Sequence, residues 1–277
     1  MTGKEFWFTP GGRDRLVTML ARARLLILAL WIAVARPGPA LAQSDEIQVY
    51  DGGLADRGVL NLTLHNNYTP RGETAPAFPG AVVADQSWNG VPEWAYGVNR
   101  WFEAGLYLPL YTLDKHQGWG LNGFKLRTLF AVPDADERTF VYGTNFEFSF
   151  NAERWDPTRF TSEIRPIIGW HLKWFDLFFN PILDTAYDGL GKLEFEPSTR
   201  LAYRLRGAWA LAVEEYADLG PLEDLHSASE QAHQLYGVVD GRWRAVDVEV
   251  GVGAGLTAAA DDLTLKLILS GDLYRRK

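Results

Sequence analysis

Residues 140–150 read Phe140-Val141-Tyr142-Gly143-Thr144-Asn145-Phe146-Glu147-Phe148-Ser149-Phe150. The even positions carry Phe, Tyr or Thr, and the odd ones Val, Gly, Asn, Glu and Ser. This is a period of two, in which successive side chains point to opposite faces of an extended chain. A helix would spread the same rings around its whole circumference. The pattern recurs on either side. Leu60, Leu62 and Leu64 alternate with Asn61, Thr63 and His65. Val246, Val248, Val250 and Val252 alternate with Asp247, Glu249, Gly251 and Gly253. Leu263, Leu265, Leu267 and Leu269 alternate with Thr264, Lys266, Ile268 and Ser270. After residue 43 no long stretch keeps a 3.6 period, although 218–232 leaves room for a short helical turn.

Strands are expected near 58–68, 92–99, 102–112, 121–132, 139–150, 160–172, 174–185, 194–206, 208–217, 233–240, 244–254 and 263–273. That is about twelve, with ends uncertain by about 2–4 residues. Most approach the roughly 9–11 residues that carry a tilted strand across a bilayer. Longer connections (69–91, 113–120, 151–159, 186–193, 218–232, 255–262) alternate with tighter ones at Arg100-Trp101, 133–138, Lys173, Gly207 and 241–243. Such alternation is the habit of outer-membrane barrels, which turn tightly on the periplasmic side and loop outside. The pattern therefore predicts an all-β protein, an antiparallel up-and-down transmembrane β-barrel with both chain ends on the periplasmic side.

Parity sorts the charges. With the more apolar face of each strand turned outward, the other face carries Lys125, Arg127, Arg165, Arg200, Arg204, Arg206 and Lys266. It also carries Glu103, Glu147, Glu163, Asp176, Asp184, Glu196, Glu214, Asp247 and Glu249. Tyr107, Tyr111 and His171 are expected to line the same bore. Seven cations facing nine anions can pair across a narrow lumen, so the expectation is a partly self-plugged interior rather than a wide water pore. Phe, Leu, Val and Trp dominate the outward face. Trp94, Trp101, Trp155, Trp170, Trp174 and Trp209 fall near expected strand ends, where indole rings tolerate headgroups. A soluble barrel has the same alternation with its faces exchanged; strand count, loop alternation and Trp placement favour the membrane.

The composition agrees. The chain has 277 residues, 27 basic and 35 acidic, a net charge of −8, and no cysteine. This rules out a disulfide framework and Cys-ligated metal sites, and the acidic balance argues against a nucleic-acid partner. The mean hydropathy of −0.14 is too low for a bundle of membrane helices. Only Leu25–Ala35 is a long apolar run. It follows Arg22 and Arg24, and Pro37-Gly38-Pro39 and Ala40-Leu41-Ala42 come after it. Basic, apolar and small-residue regions in that order make a secretory signal, with Met19 an alternative start and cleavage expected after Ala42. The expected division is therefore 1–42 signal and 43–277 barrel. Residues 1–42 hold six basic and two acidic residues, which leaves 21 basic and 33 acidic and a net of −12 for the exported part.

Three stretches resemble a known group. They are Asp45–Asp51 followed by Leu60–Tyr68, Gly90–Gly97 with Trp101–Leu106, and Ile164–Trp170. They are similar to poorly characterised proteobacterial outer-membrane barrels, themselves loosely similar to a barrel family named for a phenol-degradation (meta) pathway and often described as transporters. The likeness spans nearly all of the exported part. It implies a fold and a location, and no reaction. One departure is that Tyr274 is followed by Arg275-Arg276-Lys277 where many such barrels end on an aromatic residue.

Motifs for chemistry are sparse. The five histidines have no i,i+4 pairing and no HExxH. There is no G-x-S-x-G and no His-x-Ser arrangement, so no catalytic residue is assigned. No cofactor or metal is expected: phosphate-binding and dinucleotide fingerprints are missing, and Asp134-x-Asp136-Glu137 and Asp261-Asp262 lack EF-hand spacing. Asp51-Gly52, Asn89-Gly90, Asn122-Gly123, Asp188-Gly189 and Asp240-Gly241 read as turns. Glu147 and Glu163 beside Arg165 read as a structural clamp rather than an acid–base pair. The expected partners are outer-membrane lipid and a small-molecule solute, with hydrophobic or aromatic solutes among those considered. The function expected is a channel or transporter. The alternatives are a membrane-embedded enzyme acting on lipid and a soluble periplasmic ligand-binding barrel. The side chains that would set selectivity are Glu103, Tyr107, Lys125, Arg127, Glu147, Glu163, Arg165, His171, Asp184, Arg200, Glu214, Asp247 and Glu249.

Overall fold

In the computed structural model the described residues are 46–275; the signal expected over 1–42 lies outside them. The alternating stretches form strands β1 (Val59–Arg71), β2 (Ser87–Asn99), β3 (Phe102–Asp114), β4 (Gly118–Ala131), β5 (Phe140–Asn151), β6 (Phe160–His171), β7 (Phe175–Asn180), β8 (Leu183–Thr185), β9 (Glu194–Phe195), β10 (Ser198–Arg204), β11 (Trp209–Asp218), β12 (Ala232–Trp243), β13 (Val246–Gly255) and β14 (Leu263–Arg275). Two pairs of these are halves of one barrel strand. Pro181 separates β7 from β8 and Pro197 separates β9 from β10, because proline has no N–H to give the ladder. The ladder resumes across the breaks, where the Glu196 amide donates to the Ile182 carbonyl at 3.1 Å and the Ala217 amide to Pro197 at 3.0 Å. The fourteen segments thus make the expected twelve barrel strands.

All pairings are antiparallel between neighbours. The ring closes where β1 meets β14 and β5 meets β6. Closure removes every sheet edge, which a membrane requires because lipid cannot satisfy free backbone groups. At one end the strands are joined by the short turns at 100–101, 172–174, 205–208 and 244–245, and by 132–139, which holds a single 3-10 turn at Ala135–Glu137. The other end carries 72–86, 115–117, 152–159, 186–193, 219–231 and 256–262. The alternation is looser than expected, since 115–117 is the shortest connection on the loop end and 132–139 the longest on the turn end.

The exterior is greasy. Leu108, Leu126, Phe148, Leu201, Val213, Val239, Val250 and Leu265 are exposed on the barrel wall. Their parity partners, among them Glu147, Arg165, Glu214 and Lys266, are buried inside. Trp101, Trp170, Trp174, Trp209 and Trp243 ring the turn end. Faces are therefore arranged as in a membrane barrel, not a soluble one.

Several expectations need correction. Trp94 sits mid-strand, because β2 begins at Ser87, and Trp155 lies half-buried in the 152–159 loop. Asn89-Gly90, Asn122-Gly123 and Asp240-Gly241 lie within strands, where the glycine makes room for a neighbour. A side chain at Gly90 would run into the Tyr111 ring, and one at Gly241 into Trp209. Tyr111 itself is outside the bore. A register shift between Tyr107 and Leu110 resets the parity of β3, burying Leu110 and Thr112 and turning Leu108, Pro109 and Tyr111 outward. Arg206 sits exposed in the 205–208 turn, and 219–231 forms no helix.

Candidate functional site

The lumen is occupied by the chain's own segment Glu46–Tyr50, which lies inside the barrel before residues 51–58 lead to β1 at the turn end. Glu46, Ile47, Val49 and Tyr50 are all buried. Its side chains pack on two patches of the wall. Ile47 packs with Ala202, Ala212, Tyr236 and Val238. Val49 and Tyr50 pack with Leu129, Val132, Val141, Ile167 and Phe178. Gly52, at φ 84°, turns the chain against Val141 and Ala135, a conformation and a clearance that favour glycine.

Wall side chains satisfy the segment's backbone. Arg165 Nη1 donates to the Gln48 carbonyl at 3.1 Å and Lys266 Nζ to the Ile47 carbonyl at 3.2 Å. Asn180 pairs with both main-chain groups of Tyr50. The Tyr50 hydroxyl meets that of Tyr107 at 2.6 Å. The Arg165 and Arg127 guanidinium groups lie 4.5 and 5.7 Å from the centre of the Tyr50 ring, close enough for cation–π attraction.

Around the segment the expected charges fall into three groups. In the first, Arg127 pairs with Glu93 at 2.7 Å and with Glu103. His65 Nε2 is 3.0 Å from Glu93, and the Ala55 amide donates to Glu103 at 2.5 Å. In the second, Arg165 grips Glu163 through two bonds of 2.7 and 2.9 Å and reaches Glu46 at 3.4 Å. Lys125 pairs with Glu147 at 3.3 Å, and Asp184 lies opposite Glu163 in register. In the third, Glu214 lies between Arg200 and Lys266, Lys266 also reaches Glu249 at 2.6 Å, and Arg200 reaches Asp240 at 2.5 Å. Buried charges persist only when paired in this way.

His171 stands apart near the turn end, with Asp176 and Arg204. Asp247 is at the turn-end mouth, half-exposed and bonded to Arg242 at 2.7 Å. Beside it opens a cavity of roughly 400 Å³, lined among others by Gln48, Thr63, Asp240, Arg242, Glu249 and Ser270. Of the Glu147–Glu163–Arg165 set, Arg165 holds Glu163 alone, and Glu147 pairs with Lys125 instead. Sequence reasoning missed Glu46, Tyr50, Glu93 and Asn180. The signal for Glu93 was its parity with Ala95 and Gly97. That for the inner segment was the alternation Ile47-Gln48-Val49-Tyr50 ahead of the first strand.

Closed wall, apolar outside and charge-filled inside define a transmembrane β-barrel. No protein-family model matches the chain, and no curated protein matches it. Solved structures do. One is the COG4313 outer membrane channel from Pseudomonas putida F1, 11% identical, with a TM-score of 0.56 over 82% of this chain and 100% of that one. Another is the CymD monoaromatic hydrocarbon channel, 9% identical, with a TM-score of 0.45 over 79% of this chain and 90% of that one. The first likeness shows the fold, that of an outer-membrane β-barrel.

Proposed function

We propose that the protein is an outer-membrane channel for small solutes in which Glu46–Tyr50 forms the constriction. The observation that carries this reading is that a separate chain segment, tied to the wall by hydrogen bonds, lies among the wall's own side chains in the lumen. A filling of this kind can shift without opening the barrel ladder. The inner wall is mixed. Arg127, Arg165 and Lys266 supply charge, while Val141, Ile167 and Phe178 supply an apolar flank. That mixture suits solutes with a hydrophobic or aromatic body and a polar end. The thirteen side chains named from parity are the proposed selectivity set, with Glu46, Glu93 and Tyr50 added. Membrane lipid is the partner of the Trp-lined exterior. Residues 1–42 serve as the export signal, and cutting after Ala42 would leave Gln43 as the new end, three residues before Glu46.

The test is a planar-bilayer recording with the full exported chain. Stepwise conductance is expected. Absence of conductance together with absence of solute flux into protein-loaded liposomes would overturn the reading.

A further inference from the structure

The loop-end half of the lumen wall gathers carboxylates from adjacent strands. Glu147 of β5 lies directly opposite Glu163 of β6, and Glu163 directly opposite Asp184 of β8. Glu196 follows between β9 and β10, within electrostatic reach of Glu163 and Asp218. Like charges at directly opposed positions repel. Among the described residues the cations that face them are Lys125 and Arg165. Lys125 is taken up with Glu147, and Arg165 is shared between Glu163, Glu46 and the Gln48 carbonyl. Among the described residues Asp184 and Glu196, both only half-buried, form no ion pair of their own.

A second observation concerns Asn145, which is completely buried. Its amide nitrogen donates to Glu147 Oε1 at 3.0 Å, which fixes the side chain in this group. Among the described residues the oxygen of the same amide has no hydrogen-bond partner. Ser198, two residues beyond Glu196 on the same inner face and 1% exposed, likewise has an unpartnered hydroxyl. Buried acceptors are ordinarily paired, so the unpaired Ser198 hydroxyl two residues from Glu196, with the Asn145 oxygen on the strand next to that of Glu163, marks a place for a donor-bearing cation. Among the described residues, no three carboxylate or imidazole groups converge on a point that would hold a metal ion. The acceptors are instead spaced by the separation of neighbouring strands, about 4.8 Å. Such spacing suits N–H donors distributed over an organic cation rather than one small ion.

We propose that this wall, centred on Glu163, Asp184 and Glu196, is a binding site for organic cations bearing ammonium or guanidinium groups, alkyl diamines in particular. The site does not require the lumen to conduct, so it stands or falls separately from the channel reading.

The test is thermal unfolding of the full exported chain in detergent, followed by circular dichroism at neutral pH. Putrescine is the probe, compared with sodium and magnesium chloride at equal ionic strength. At about a hundredfold excess over its dissociation constant, putrescine is expected to raise the midpoint by about 5 °C or more. The rise should be lost in the double variant Asp184→Asn/Glu196→Gln. That variant relieves repulsion and is expected to fold, which heat-modifiable migration checks; only the ligand-induced shift is compared. No rise with putrescine, an equal rise with either salt, or an undiminished rise in the double variant would each overturn the proposal.

Discussion

Asn180 and Tyr50 form a reciprocal pair inside the barrel: the Tyr50 amide donates to Asn180 Oδ1 at 2.7 Å, and Asn180 Nδ2 donates to the Tyr50 carbonyl at 3.0 Å. One wall side chain thus replaces the strand partner that the inner segment lacks. Asn180 is fully buried, so no water competes for either bond. Replacing Asn180 with Leu strands a buried N–H and a buried C=O, at a cost of about 2–4 kcal/mol. Hydrogen exchange at the Tyr50 amide should quicken, while exchange in β12 and β13 should stay as it was. Unchanged protection at Tyr50 would contradict the pairing.

Arg127 holds Glu93 and Glu103 together in a region all three share without solvent. Arg127→Met leaves two carboxylates without their cation and should cost about 3–5 kcal/mol. Adding Glu93→Gln and Glu103→Gln to that variant should return most of the loss, since the charges go with their partner. Urea unfolding of protein folded into lipid vesicles reads both values. A triple variant no better than Arg127→Met would show that the carboxylates are not what the arginine neutralises.

The outward face makes its own prediction. Val213 and Val250 are exposed on the wall, away from the strand ends. Val250→Arg should cost about 2–4 kcal/mol in a bilayer, because a cation near the midplane meets hydrocarbon. Arginine at Trp243, beside the turn-end interface, should cost about 0–1 kcal/mol for its charge. Equal penalties at the two depths would mean that no bilayer surrounds the barrel.

Asp261 couples two loops of the loop end. It is buried, and its carboxylate accepts the Glu73 amide at 2.9 Å. Burial, with Glu73, Asp262 and Asp85 nearby, pushes its pKa from 3.8 up to about 6. A carboxyl whose folded value is raised binds its proton more tightly when docked than when free. Docking of 72–86 onto 256–262 is therefore firmest below about pH 4, weakens as pH rises through the interval to about 6, and levels off above it. Protease sensitivity of the 72–86 loop should rise over that interval. Asp261→Asn keeps an acceptor for the Glu73 amide and should flatten the profile.

The strands were legible because the period of two survives wherever one face meets lipid and the other meets charge. Phe140–Asn151 and Phe160–His171 fall within a residue of their expected bounds for that reason. Parity also placed Arg127, Glu147, Arg165, Glu214 and Glu249 inside. It failed at Tyr111, because an irregularity at Leu108-Pro109 shifts the face without leaving a mark in hydropathy. The inner segment was hidden for a different reason. Five alternating residues flanked by polar ones look the same whether they cross a lumen or lead into the first strand. Only closing the barrel brings Asn180 to Tyr50 across 130 positions of chain. Register is likewise a property of the closed ring, which is why the Glu147–Glu163–Asp184 row could be guessed only in part.

The most direct measurement compares single-channel conductance of the full exported chain with that of a form from which residues 43–50 are removed, both checked for folding by heat-modifiable migration. If Glu46–Tyr50 is the constriction, the shortened form conducts several-fold more and passes larger solutes. Identical conductance and identical size cut-off in the two forms would contradict the account.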